Sequence, residues 1–139
     1  MPSRPTKKVN ISDIEFEQGL RRDEGWVDMK VQFLINAENA SNEEIVFGRT
    51  LFEPGARHEH HRHAHAEEIQ YLVRGEGVVL DGDLEIPMKP GDVILTHKNV
   101  WHGFRNTSAT ETAELIWAWA GAASREAAGY EARDTVERP

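Results

Sequence analysis

From Trp26 the chain alternates between apolar and polar positions. Val27, Met29, Val31, Phe33 and Ile35 are apolar, with Asp28, Lys30 and Gln32 between them. A period of two puts successive side chains on opposite faces, so this stretch is expected as a half-buried strand. The polar run NAENASNEE follows as a connection. IVFGRTLFE is then expected as a second strand, ended by a turn at Pro54-Gly55.

Further on, EEIQYLVRGEGVVLDGDLEIPMKPGDVIL reads as short strands punctuated by Gly75, Gly77, Asp81-Gly82 and Pro90-Gly91. Asp-Gly between two strands signals a hairpin, because a type I′ turn needs positive φ at both central residues. VWHGFRN and TAELIWAWA give two more strands. About eight to ten short strands with regular turn signals indicate an all-β sandwich or barrel. Residues 1–13 hold Pro2, Pro5 and little to bury, and are expected as a flexible arm. Residues 14–121 would form the β-domain, and 122–139 a short helical segment with a fraying tail.

Composition narrows the partners. The 139 residues suit one domain, with 39% hydrophobic and 29% charged residues. A net charge of −8 argues against a nucleic-acid partner. The chain has no cysteine, which excludes disulfides, thiolate metal sites and cysteine nucleophiles. No apolar run approaches the roughly 20 residues of a membrane span, and the polar N-terminus shows no signal peptide. A cytoplasmic protein is the expectation.

The stretch RHEHHRHAHAEE carries His58, His60, His61, His63 and His65, then Glu67 and Glu68. Imidazole and carboxylate are metal ligands, and a His-x-His pair on a strand aims both rings to one side. Three such pairs exist here: His58/His60, His61/His63 and His63/His65. Local spacing alone does not choose among them, and a solvated polar loop is the plain alternative.

A longer pattern resembles the cupin superfamily of small antiparallel β-barrels. Its first motif is Gly, five residues, His-x-His, three or four residues, Glu, six residues, Gly. Gly55, His61, His63, Glu68 and Gly75 match it at every fixed position. In the second motif Gly91, His102 and Asn106 match, while His97 and Asn99 stand where the family has proline and glycine. Asn99 is at least a residue that tolerates a left-handed backbone. The resemblance implies an antiparallel jelly-roll β-barrel and a metal held by His61, His63, Glu68 and His102. One divalent transition metal is expected, Fe2+, Mn2+, Ni2+, Cu2+ or Zn2+, with copper and zinc favoured by intrinsic affinity.

Parity extends the site. If Glu68 faces inward, so do Gln70 and Leu72; if His102 does, so do Phe104 and Asn106. Gln70 is a candidate to bond an oxygen at the metal, Phe104 a candidate wall or core residue, and Asn106 a holder of a strand end. His97 is a candidate acid or base. His58 and His60 are expected in the turn before the ligand strand. Trp117 and Trp119 share a face and are expected in core or dimer packing. The resemblance implies a metal-dependent enzyme acting on a small organic oxyanion or enolisable substrate, a dioxygenase first. A non-redox isomerase, lyase or cyclase is the second reading, and a non-enzymatic small-molecule binder the third. A homodimer is expected.

Overall fold

The computed structural model describes residues 5–133. Among them nine strands run in chain order: β1 (Trp26–Ile35), β2 (Ile45–His63), β3 (Glu67–Arg74), β4 (Gly77–Asp81), β5 (Leu84–Met88), β6 (Val93–Thr96), β7 (His102–Arg105), β8 (Ala113–Ala120) and β9 (Tyr130–Ala132). Helices α1 (Ala37–Ala40) and α2 (Arg125–Ala128) are single turns. Every strand pairing is antiparallel. The sheet curls into the jelly-roll barrel that the sequence pattern implies.

β2 organises the barrel. Its first half lies between β1 and β8, and its second half pairs with β7 and β9. One wall therefore reads β1-β2-β8-β3-β6 and the other β9-β2-β7-β4-β5. The expected turn at Pro54-Gly55 is thus a correction: the strand bends there and continues to His63. The β1 ladder jumps from Met29 opposite Phe52 to Val27 opposite Arg57, so Asp28 alone faces four residues of β2. Pro54 has no N–H to donate, and it sits where no ladder bond is required. A strand that bends between sheets at such a corner serves both.

The β4–β5 hairpin also differs in detail. Asp81 pairs with Leu84, so the loop is Gly82-Asp83, with positive φ at Gly82 (56°) and not at Asp83. That matches a type II′ turn, which needs a left-handed residue only at the first central position.

The alternation in β1 holds at Val31, but Gln32 and Leu34 are buried as well. The segment before β1 folds over this face. Gln32 Nε2 donates to the carbonyls of Ile11 and Ile14, at 2.8 and 2.7 Å. The arm expected over residues 1–13 is therefore tied down at its end, in a 3₁₀ turn over Ile11–Asp13. Its residues 1–4 lie outside the described part.

The C-terminal segment holds the expected short helix, α2, and adds a strand. After α2 the chain forms β9, which pairs Tyr130, Glu131 and Ala132 with His63, Arg62 and His61. The tail beyond 133 lies outside the described residues.

The core holds Phe52, Phe104, Leu72, Leu115, Val31, Val46 and Val79, all essentially inaccessible. Phe52 and Phe104 pack with ring centres 4.7 Å apart, so Phe104 is a core residue. Gly48 makes room for an indole: a Cβ there would lie 2.1 Å from Trp117. Asn106 Nδ2 donates to the carbonyls of Phe52, Glu53 and Glu111, at 2.8–3.1 Å. Its Oδ1 accepts from the Ser108 amide. It stitches the end of β7 to β2, the structural part expected of it.

Candidate metal centre

Three strands deliver the site. The second half of β2 brings His61 and His63 to one face, with Arg62 on the other. β7 lies against β2, with His102 opposite His61. β3 supplies Glu68. All four side chains are buried. One donor atom from each lies within 4.8 Å of the other three.

Parity on β3 holds: Glu68, Gln70 and Leu72 are buried, while Ile69, Tyr71 and Val73 are exposed. The turn before β7 also takes the shape its motif demands. Asn99, in the glycine position, adopts φ 65°, and its amide donates to the His63 carbonyl at 2.8 Å. An asparagine enters the left-handed region at little penalty. The loop that leads to His102 is thereby tied to the strand of His63.

Hydrogen bonds aim the imidazoles. His61 Nδ1 donates to the Glu59 carbonyl at 2.9 Å, and His102 Nδ1 to the Val100 carbonyl at 2.8 Å. A nitrogen that donates to a carbonyl carries the hydrogen, so the Nε2 atoms point inward as the coordinating ones. His102 Nε2 lies 3.3 Å and His63 Nε2 3.4 Å from Glu68 Oε1. His63 Nε2 is nevertheless a buried nitrogen with no hydrogen-bond partner. Buried polar atoms are almost always satisfied. A lone pair left bare among two other imidazoles and a carboxylate fits a cation at that point.

The electrostatics agree. Burial, with the neighbouring histidines, holds His61 well below the usual imidazole range. Burial lowers His63 to about 4 against the raising pull of Glu68. Both are neutral near pH 7 and ready to donate a lone pair. Burial would raise the Glu68 carboxyl, but the His102 hydrogen bond and charge, with His63 and Gln70, outweigh it and hold it at about 2. Burial lowers His102, yet the hydrogen bond and charge of Glu68 win and raise it. Without a cation, His102 and Glu68 therefore form an ion pair.

The carboxylate is braced from two sides. Gln70 Nε2 donates to Glu68 Oε2 at 2.6 Å, and Trp119 Nε1 donates to Glu68 Oε1 at 2.9 Å. Gln70 Oε1 is buried without a partner. Beside these groups is a cavity of about 30 Å³, lined by His58, His61, Glu68, Gln70, Phe104 and Trp117 among others. A larger basin of about 410 Å³ lies outside it and includes Tyr130 and Arg125. Phe33 lines both spaces.

Two residues escaped the sequence analysis. Trp119 was placed in core or dimer packing, but it also holds the carboxylate. Its position opposite Glu68 becomes visible only once β8 is known to lie beside β3. Tyr130 reaches the site because β9 folds back. His58 Nε2 and Tyr130 Oη lie 2.8 Å apart, and the His58 ring stacks on His61 with centres 3.7 Å apart.

The remaining histidines separate clearly. His58 lies in β2 rather than in a turn, half-buried between Trp26 and His61, and burial lowers its pKa to about 3. His60, also in β2, bonds the Gly82 carbonyl at 2.9 Å. His97 does not join the cluster. Its ring is largely exposed and bonds Glu67 at 2.7 Å, on the side of β3 opposite Glu68.

The comparisons with known proteins agree with this geometry. The family described as the cupin domain matches residues 48–119. An oxalate-binding protein of Thermotoga maritima is 31% identical over 103 residues, covering 74% of this chain and 85% of that one. A crystal structure of a predicted oxalate decarboxylase from Thermotoga maritima superposes with a TM-score of 0.72 at 28% identity, covering 83% of this chain and 99% of that one. The polyketide cyclase RemF of Streptomyces resistomycificus shares the fold, with a TM-score of 0.70 at 20% identity over 84% of this chain and 80% of that one. The barrel, the four converging side chains and the match over half its length place this chain in the cupin family.

Proposed function

We propose that the chain is a metal-dependent enzyme acting on a small organic oxyanion, with a carboxylate as the recognised group. One observation carries this reading: the bare, buried His63 Nε2 sits among His61, Glu68 and His102 at the side of a narrow cavity. Three neutral imidazoles and one carboxylate leave a divalent ion with a net charge of about +1, which favours an anion. Such an ion supplies Lewis acidity toward a bound oxygen. The chain supplies the rest. Gln70 and Trp119 fix Glu68, and Gln70 Oε1 is free to accept a hydrogen bond from the substrate. Phe104 and Trp117 give the cavity an apolar wall. The His58–Tyr130 pair, beside His61, is suited to hold or pass a proton, while the exposed His97 ring bonds Glu67.

The oxalate names of the Thermotoga relatives support the carboxylate, and the small cavity supports a small molecule. Oxygen-dependent cleavage, a dioxygenase reaction, is the first form to test. An isomerase, lyase or cyclase would use the same residues without oxygen.

The test begins with protein purified from metal-limited medium and reloaded separately with iron, manganese, nickel, copper or zinc. Calorimetry should show oxalate binding only to loaded protein, and His102→Ala should abolish it. Turnover of oxalate and of a panel of enolisable acids is then followed with and without oxygen. Loaded protein that neither binds nor converts any carboxylate overturns the proposal; turnover unchanged in anaerobic buffer removes the dioxygenase form alone.

A further inference from the structure

We propose that Phe33 is the gate between the outer basin and the metal centre, and that its ring sets the size of the substrate admitted. The inference rests on the proposed function for the identity of the ligand, but not for the gate itself. The cavity beside His61 and Glu68 measures about 30 Å³, room for one or two waters. Even the smallest dicarboxylate is larger, so a wall must yield before a substrate reaches the centre. The basin outside, at about 410 Å³, is of ligand size. Phe33 is the residue that lines both spaces.

The neighbouring walls are pinned. Trp117 Nε1 donates to Thr50 Oγ1 and Trp119 Nε1 to Glu68 Oε1, both at 2.9 Å. Gln70 is bonded to Glu68, and His58 to Tyr130. Phe104 is fully buried against Phe52. Phe33 is held by packing alone. Its ring meets the indoles of Trp117 and Trp119 edge-on, with centres 5.6 and 6.2 Å apart, and it stays only half-buried. On the basin side the Arg125 guanidinium lies over the ring, 5.9 Å from its centre. The basin wall sets Glu17, Glu38 and Glu126 against Arg125. An entering anion is therefore drawn to Arg125, at the ring, and repelled elsewhere. An anion that pairs with Arg125 competes with the ring for the guanidinium, so the arrival of substrate loosens the gate.

The chain has no cysteine, so one introduced thiol reports access to the cavity. Val31 lines it and is 2% exposed, and a cysteine there stays a small buried apolar group. In metal-free Val31→Cys protein, methyl methanethiosulfonate should react far faster than its benzyl counterpart. Adding Phe33→Ala should lower that ratio of rates by about tenfold or more, because size discrimination at an apolar wall is worth on the order of 10- to 200-fold. Val79→Ala, a buried truncation in β4 that lines neither space, should leave the ratio at its parent value. If Phe33→Ala misfolds, Phe33→Leu should move the ratio the same way by less. An unchanged ratio, an equal fall in Val79→Ala, or a thiol that neither reagent reaches once Phe33 is truncated overturns the gate. With zinc loaded, calorimetry should show Phe33→Ala binding benzoate about tenfold more tightly while its oxalate affinity stays that of wild type. Equal gains for both anions overturn the size limit. A lowered thiol ratio in loaded protein that binds no carboxylate keeps the gate and overturns the carboxylate substrate instead.

Discussion

The two faces of β3 invert the usual rule. Glu68 and Gln70 are buried inside the barrel, while Ile69, Tyr71 and Val73 of the same strand are exposed outside. Polar groups inside and apolar groups outside are the two informative departures from ordinary packing. The inner departure marks a group of side chains that could hold a metal ion. Inside, three imidazoles and a carboxylate converge on one point and leave a nitrogen bare. Outside, four strands align apolar positions: Leu95 of β6, Ile69 of β3, Ala118 of β8 and Phe47 of β2. One strand thus carries two unlike faces, and a shift of one residue would exchange them.

The most severe way to break the inner face is to remove a ligand. Residues that merely orient a ligand typically change metal affinity by about 10- to 100-fold, so a ligand itself is worth more. His102→Ala should lower affinity by more than ~100-fold, read by metal analysis after dialysis. Circular dichroism should stay that of the folded barrel, because the core of Phe52, Leu72, Phe104 and Leu115 is untouched. Full retention of metal would show that His102 is not a ligand.

The next effect comes from pH. His102 is raised above its ordinary value by Glu68, so near neutrality the metal-free site holds a proton that an incoming cation must displace. Affinity should rise about tenfold per pH unit below the His102 pKa and level off above it. Metal titrations in buffers of different ionisation enthalpy will show that released proton, and its absence would dissolve the ion pair. The folded protein responds in a different window. Glu68 is depressed to about 2, so its stabilisation is full above the unfolded carboxyl range and is lost as pH falls from there through 2. His63 is depressed to about 4, so the unfolded chain takes up that proton first and stability begins to fall below the ordinary histidine pKa. Thermal melts of metal-free protein should therefore decline in two stages as the solution is acidified.

How much of this was legible in the sequence depends on whether the information is local. Period-two alternation tells which side chains share a face, so Gln70 and Phe104 were placed inward correctly. The resemblance to the cupin motif, from Gly55 to Gly75, singled out His61, His63 and Glu68 from seven candidates in the run, where local spacing alone left three His-x-His pairs open. Alternation says nothing about which strands are neighbours. Trp119 could not be paired with Glu68 without knowing that β8 lies against β3. Tyr130 stayed hidden because AGYEA is too short to signal a strand that returns to β2. Pro54-Gly55 misled because the same dipeptide suits a turn and a bend in a strand, and only the partner strands distinguish them.

Smaller changes sharpen the contrast between the faces. Gln70→Leu keeps the volume of an inward residue but removes the donor to Glu68 Oε2. Trp119→Phe keeps an aromatic ring and removes the donor to Oε1. The Trp119 ring also packs on His63, with centres 4.7 Å apart, a contact that the phenyl ring keeps in part. Each should weaken metal binding by about tenfold, the lower end for a group that orients a ligand. Each should also let the Glu68 carboxyl drift upward, since a donor to the charged form has gone. On the outer face, Val73→Thr removes nothing the barrel interior uses, because Val73 is exposed and opposite in parity to Leu72. Its melting temperature and metal affinity should match wild type, within the roughly ±0.5 kcal/mol usual for surface substitutions. A tenfold loss of metal from Val73→Thr, or none from Gln70→Leu, would mean that the two faces are coupled through the sheet and that alternation alone does not divide their tasks.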